Sequence, residues 1–266
     1  MFPLPNAARR WGRGGRRQGG SRNRFHPHEP VADLLHARHI LRHDAQRLAL
    51  ARHYLAKPQA SKTGEFSYSN LGFIVAGTIA EARTGKSWED LVRELVFTPL
   101  GIVNAGFGVP GTPGKVDQPW GHMETKGALE PLDPGNPDAD NPLSLGPAGT
   151  INIALRDWLL FAQDQLDGAH GHGKLLKAET YKRLQTPIAP ANAPVYAFGW
   201  GAKLTPNGVP ALLTHTGSNG YWVADIRIMP MHDMIFLVAT NAGNDAANQA
   251  IKDIGAPLRE RLKPFQ

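Results

Sequence analysis

The chain has 266 residues, 41% of them hydrophobic, with 29 Lys and Arg against 23 Asp and Glu and no cysteine. That length suits one large domain or two small ones, and the missing thiols exclude disulfide scaffolds, zinc–thiolate sites, iron–sulfur clusters and a cysteine nucleophile. The formal charge of +6 is a property of the first 47 residues, which hold ten Arg and three acids, so the nearly neutral remainder gives no reason to expect a nucleic-acid partner.

Residues 1–30 alternate Arg and Gly with almost nothing to bury, and are expected to be a disordered tail. No run reaches the roughly 18 apolar residues of a membrane span, and none resembles the core of a signal peptide; the chain reads as soluble. From Val31 to Ala56, Leu34, Leu35, Leu41, Leu48 and Leu55 recur at helical spacing, enough for one or two helices before Pro58. Leu71–Arg83 predicts a helix ended by Gly85. Ser87 reads as the cap of another, running to about Phe97 and stopped by Pro99. Residues 104–150, dense in Gly, Pro, Asn and Asp, read as a long loop, and loops of that length usually cover a site.

Ile153–Leu166 and Ala178–Leu184 return to helical spacing, and the last third changes character. Tyr196–Leu204, Val209–His215, Tyr221–Met229 and Met234–Asn241 read as strands, with Asn207-Gly208 as a hairpin turn, so an antiparallel meander is expected. Asp245–Ile254 predicts a closing helix that Gly255 and Pro257 interrupt. The domain expected is residues 31–266, helical to about 186, with the sheet and last helix over about 195–266.

Two stretches carry chemistry. Tyr68-Ser69-Asn70 sets a phenol and an amide two residues apart at a loop-to-helix boundary, and His215-Thr216-Gly217-Ser218 closes a predicted strand. A Tyr can pass a proton, an Asn can orient an amide, and small residues at a strand edge let a substrate approach backbone N–H groups. Read singly, Tyr68 could instead anchor its loop, Asn70 cap its helix, and His215-Thr216 be ordinary strand residues. His26-Pro27-His28, His170-Gly171-His172 and the His36, His39, His43 face lack a His-Glu-x-x-His pattern, so solvated histidines are the simpler account. No Gly-x-Ser-x-Gly elbow and no phosphate-binding loop is present.

Taken together and in order, Tyr68-Ser69-Asn70-Leu71-Gly72, Phe97-Thr98-Pro99-Leu100-Gly101, Pro147-Ala148-Gly149-Thr150 before Arg156-Asp157, Phe198-Gly199-Trp200-Gly201 and His215-Thr216-Gly217 resemble the serine β-lactamase-related family of AmpC-type β-lactamases, DD-peptidases and esterases. The resemblance runs from about Phe66 to about Ile254. It implies an α/β (α+β) fold, with an antiparallel sheet flanked by helices and a helical region, and an acyl-enzyme route on a small ester, amide or β-lactam, with no cofactor. It implies that Tyr68 hands a proton to the leaving group beside a serine oxygen, that His215 stands where relatives carry Lys, and that Asn70, Thr216, Gly217 and Ser218 contact substrate. The Ser218 N–H would be one of two oxyanion-hole donors. An imidazole, mainly neutral at pH 7, recognises a carboxylate less well than a fixed cation does, so an ester or amide is favoured. Such relatives usually act in the periplasm or outside the cell.

The family's nucleophile lies in a Ser-x-x-Lys helix. None of the seven serines has Lys three residues on, and Ser61-Lys62-Thr63-Gly64 reads as a turn. The sequence therefore reads either as truncated ahead of the Tyr-x-Asn loop, with the first sheet strands missing, or as a pseudoenzyme that binds without hydrolysing. A sheet edge left open by absent strands would favour homo-oligomers.

Overall fold

The computed structural model describes residues 42–59, 61–188 and 196–262, with only the helical backbone over 258–262. The expected Arg-rich tail and the start of the helical segment from Val31 lie outside the described residues. Three helices open the described chain. They are α1 (His43–Leu55), α2 (Asn70–Thr84) and α3 (Trp88–Val92), the last continued by a π-helical turn, Arg93–Phe97, and a final turn, Thr98–Leu100. Ser69, not Asn70, caps α2, its Oγ accepting from the Gly72 N–H at 3.3 Å; Gly85, at φ 71°, ends it. Ser87 caps α3 as expected, accepting from the Asp90 N–H at 3.1 Å. Pro99 does not stop the helix. The wider π turn precedes it, and Pro99 falls in the final turn, one residue before the helix ends at Leu100.

Arg47 of α1 fastens these helices. Its guanidinium is fully buried and donates to Glu81 of α2, to Glu89 of α3 and to the Leu143 carbonyl at 3.1 Å. The planar fork gives Glu81 and Glu89 two donors each and still reaches the Leu143 carbonyl, more bonds than the three donors of a lysine could make.

The segment expected to be one long loop has structure of its own. β1 (Ala105–Phe107) pairs antiparallel with β4 (Ile151–Ile153), and β2 (Gly121–Thr125) with β3 (Ala128–Leu132) through a Lys126-Gly127 turn of positive φ at both residues. Strands of three to five residues broken by Gly and Pro show no legible alternation.

β4 leads into α4 (Leu155–Ala169) and then α5 (Ala178–Gln185). Trp158, Ala162 and Leu166, four apart on α4, pack on one face of a five-stranded sheet, against Ala197, Ala202, Leu213, Ile226 and Ile228. Each of these buried Leu and Ile side chains contributes about 2 kcal/mol. The sheet is the expected antiparallel meander, ordered β5 (Tyr196–Ala197), β6 (Trp200–Leu204), β7 (Pro210–Ser218), β8 (Val223–Met229), β9 (Met234–Thr240). Residues 196–204 are two strands rather than one. Phe198 and Gly199 both take positive φ, at 30° and 103°, and fold Ala197 back onto Trp200. The expected closing helix, α6 (Asp245–Leu262), follows β9 and runs through Gly255 and Pro257, where an interruption was expected. Among the described residues β9 has one partner, β8.

Candidate active site

β7 brings its chemistry to the end of the core. Alternation places His215 on the face of Leu213, which packs under α4, and two residues further on α4 gives way to the Phe66–Asn70 segment. There the Tyr68 ring lies 6.4 Å from the His215 ring, centroid to centroid, with 32° between their planes. The phenol at the entry to α2 and the imidazole on the late strand thus share one cleft. Tyr196, which belongs to no motif that would single it out, completes a triangle with them. Its hydroxyl is 3.2 Å from His215 Nε2, its ring meets Tyr68 edge-on at 5.9 Å, and Phe66 leans on it at 5.5 Å. A side chain on a two-residue strand that is created by a turn can be placed only once that turn is known.

The electrostatics of the three groups have one origin. Burial pushes the Tyr68 phenol up and the Tyr196 phenol well up, the latter also through Tyr68, so both keep their protons. Burial holds the His215 imidazole below its ordinary range, while a hydrogen bond with the Thr216 backbone and the nearby Asp225 carboxylate act the other way. The cleft therefore presents neutral donors and acceptors. Asn70 sits half-buried in the first turn of α2.

The rest of the motif is tied into the protein. Thr216 is on the opposite face of β7 from His215, and its hydroxyl donates to Asp225 Oδ2 at 2.7 Å; Asp225, buried, accepts from Arg227 Nε on its other oxygen at 2.7 Å. Gly217 is exposed, and the Ser218 hydroxyl donates to the Trp222 carbonyl at 2.8 Å while accepting from the Gly220 N–H. Asn219 accepts from the Tyr221 and Trp222 N–H groups and donates to Asp140 Oδ1 at 2.7 Å, hooking the turn after β7 to the segment that follows β3. The β2–β3 hairpin is fixed beside it. The His122 Nδ1 donates to the Asn241 carbonyl at 2.9 Å, and the Asn241 amide donates to the Trp120 carbonyl. This rim was not foreseen, because its partners lie about 80 to 120 residues apart.

Other described serines have structural places. Ser69 and Ser87 cap helices, Ser144 is buried in the helical region, and Ser61-Lys62-Thr63-Gly64 is a turn closed by the Glu65 N–H on the Lys62 carbonyl at 3.0 Å. Among the described residues no group of three or more His, Asp and Glu is arranged to hold a metal ion. No described helix is long and apolar enough to cross a membrane.

Residues 25–256 match the Beta-lactamase family. The chain belongs to the serine β-lactamase-related family. The match begins well ahead of Phe66, where the run of motifs starts. Penicillin-binding protein 4 of Amycolatopsis lactamdurans is 30% identical over 186 residues, which are 66% of this chain and 47% of that protein. The chain thus spans about half the length of that relative. Among solved structures, an octameric penicillin-binding protein homologue from Pyrococcus abyssi superposes with a TM-score of 0.62 at 20% identity, covering 81% of this chain and 47% of that one. The D-amino acid amidase of Ochrobactrum anthropi SV3 superposes with a TM-score of 0.54 at 22% identity over 72% of this chain and 56% of its own. At such identities the structures speak for the shared fold, a mixed one of helices and antiparallel sheet.

Proposed function

We propose that this chain carries the substrate-facing half of a serine hydrolase site that works on a small ester or amide, β-lactams included, by an acyl-enzyme route. The observation that carries the reading is the meeting of the Tyr68 and His215 rings at the end of the sheet's core face. In this reading Tyr68, kept protonated by burial, gives its proton to the leaving group. Asn70 orients the substrate amide or carbonyl. The backbone of Thr216, Gly217 and Ser218 lines the acyl group, with the Ser218 N–H as one oxyanion donor, each such donor being worth about 3 kcal/mol of barrier. A neutral His215 in place of a fixed cation favours substrates that do not depend on a carboxylate.

Acyl transfer needs a serine activated by an adjacent base, and no serine of these 266 residues has Lys three positions on. We therefore expect this polypeptide by itself to show no turnover. A fluorescent penicillin and a fluorophosphonate should leave all seven serines unmodified, and p-nitrophenyl esters and nitrocefin should not be hydrolysed. Stoichiometric labelling of any serine would show that the chain is a hydrolase as it stands. Saturable binding of the same penicillin without acylation favours the second reading, a non-catalytic binding protein on this scaffold, which rests on the same missing serine–lysine pair.

Self-association belongs to the proposal as well. It is supported by the apolar β9 edge, which has β8 as its one partner among the described residues, and by the octameric state of the Pyrococcus abyssi homologue. Sedimentation velocity over a concentration series should show species larger than 28.9 kDa.

A further inference from the structure

We propose that Tyr196 is a positioning residue of this cleft, whose hydroxyl donates to His215 Nε2 and holds the imidazole in the neutral tautomer that carries its proton on Nδ1. The inference deepens the reading of His215 as a substrate-facing group and rests on it.

The geometry has three parts. The Tyr196 oxygen is 3.2 Å from Nε2. The ring that bears it is clamped between Phe66, at 5.5 Å, and Tyr68, at 5.9 Å edge-on, so the hydroxyl is aimed rather than free to swing. The imidazole's other hydrogen bond is with the Thr216 backbone and favours the charged ring, as a carbonyl accepting from a ring N–H does. One nitrogen therefore donates to the strand and the other must accept. A phenol that burial keeps protonated is the matching donor.

The consequence bears on chemistry. With Nε2 occupied by Tyr196, and with the proton of the proposed tautomer on Nδ1, His215 offers no lone pair for taking a proton from a substrate while Tyr196 is in place. It acts as a neutral wall of the cleft, and the proton traffic falls to Tyr68. The groups facing the imidazole are Tyr68 and Tyr196; Asp225 of β8 lies on the sheet's other face, occupied by Thr216 and Arg227, and acts on the imidazole only through its charge.

The test is nitrogen NMR of the full chain labelled with 15N-histidine, the His215 signals among the 11 histidines being assigned by their loss in His215→Gln. In the unsubstituted chain Nδ1 should give the shift of a protonated nitrogen and Nε2 that of a hydrogen-bonded acceptor. Tyr196→Phe keeps the ring on Phe66 and Tyr68. It should populate the Nε2–H form and move the His215 midpoint upward, towards the value of about 6.5 for a free imidazole. A proton on Nε2 in the unsubstituted chain overturns the proposal, and this measurement stands even if Tyr196→Phe does not fold. A folded Tyr196→Phe chain with tautomer and midpoint unchanged overturns it equally. Neither readout involves turnover or acylation, so failure here leaves the hydrolase reading untouched, and failure of that reading leaves the tautomer assignment to be judged on its own signals.

Discussion

His215 illustrates how a single substitution in a motif changes the physics of a site. Its imidazole is held below its ordinary range by burial, so between that folded value and about 6.5 the unfolded chain binds a proton that the folded chain resists. Stability is then complete above about pH 6.5 and falls as the pH drops below it. Thermal unfolding midpoints measured from pH 7.5 to pH 5 should decline more steeply for the natural chain than for His215→Gln, and equal slopes would show that His215 does not contribute. Next to it, Asp225 holds Thr216 and Arg227 from a site only 3% exposed. Asp225→Ala leaves the Arg227 guanidinium without its carboxylate, at a cost of about 3 kcal/mol. Thr216→Val removes one hydrogen bond and costs about 1 kcal/mol. Urea titrations of the two variants distinguish these sizes, and the order should not reverse.

At the scale of elements, the turn after β7 is pressed from behind. A side chain at Gly243 would run into the Gly220 carbonyl and the Tyr221 nitrogen, which are backbone atoms with nowhere to go. Gly243→Ala should destabilise the protein by about 1–3 kcal/mol and, in amide hydrogen exchange, loosen residues 219–222 more than the distant α5. The elements that were legible in the sequence share a property: their signals are local. Gly85 and Ser87 mark ends by their own backbone preferences, α4 shows a stripe four residues apart, and β8 and β9 each hold three β-branched residues. What was not legible depends on partners. β1 is a strand because Ile151–Ile153 lies beside it, α6 continues past Pro257 although the residue breaks its own bond, and Ala197 turns back at Phe198-Gly199 inside what reads as one alternating run. The site divides the same way. Tyr68, Asn70 and the His-Thr-Gly strand end could be named from their order along the chain, whereas Tyr196, Asp225 and the Asn219–Asp140 hook exist only through tertiary contact.

Across the molecule, the helical region and the sheet are each held by a buried polar centre of their own. Arg47 is the one for the helices. Arg47→Met fills the volume but strands Glu81 and Glu89, whose side chains are 8% and 13% exposed, and should cost about 3–5 kcal/mol. Adding Glu81→Gln and Glu89→Gln to it should recover part of that loss in the same denaturation assay, because the penalty is unpaired charge and not lost packing. The hairpin of β2 and β3 has a different kind of consequence. Its base is riveted to Asn241 by Trp120 and His122, while its tip, Lys126-Gly127, projects from the far end of the ladder. A protein engineer could splice peptides of varied length into that tip and leave the rivets alone, since lengthening an exposed turn costs little closure entropy whereas a displaced knuckle would unfasten the whole finger from the sheet.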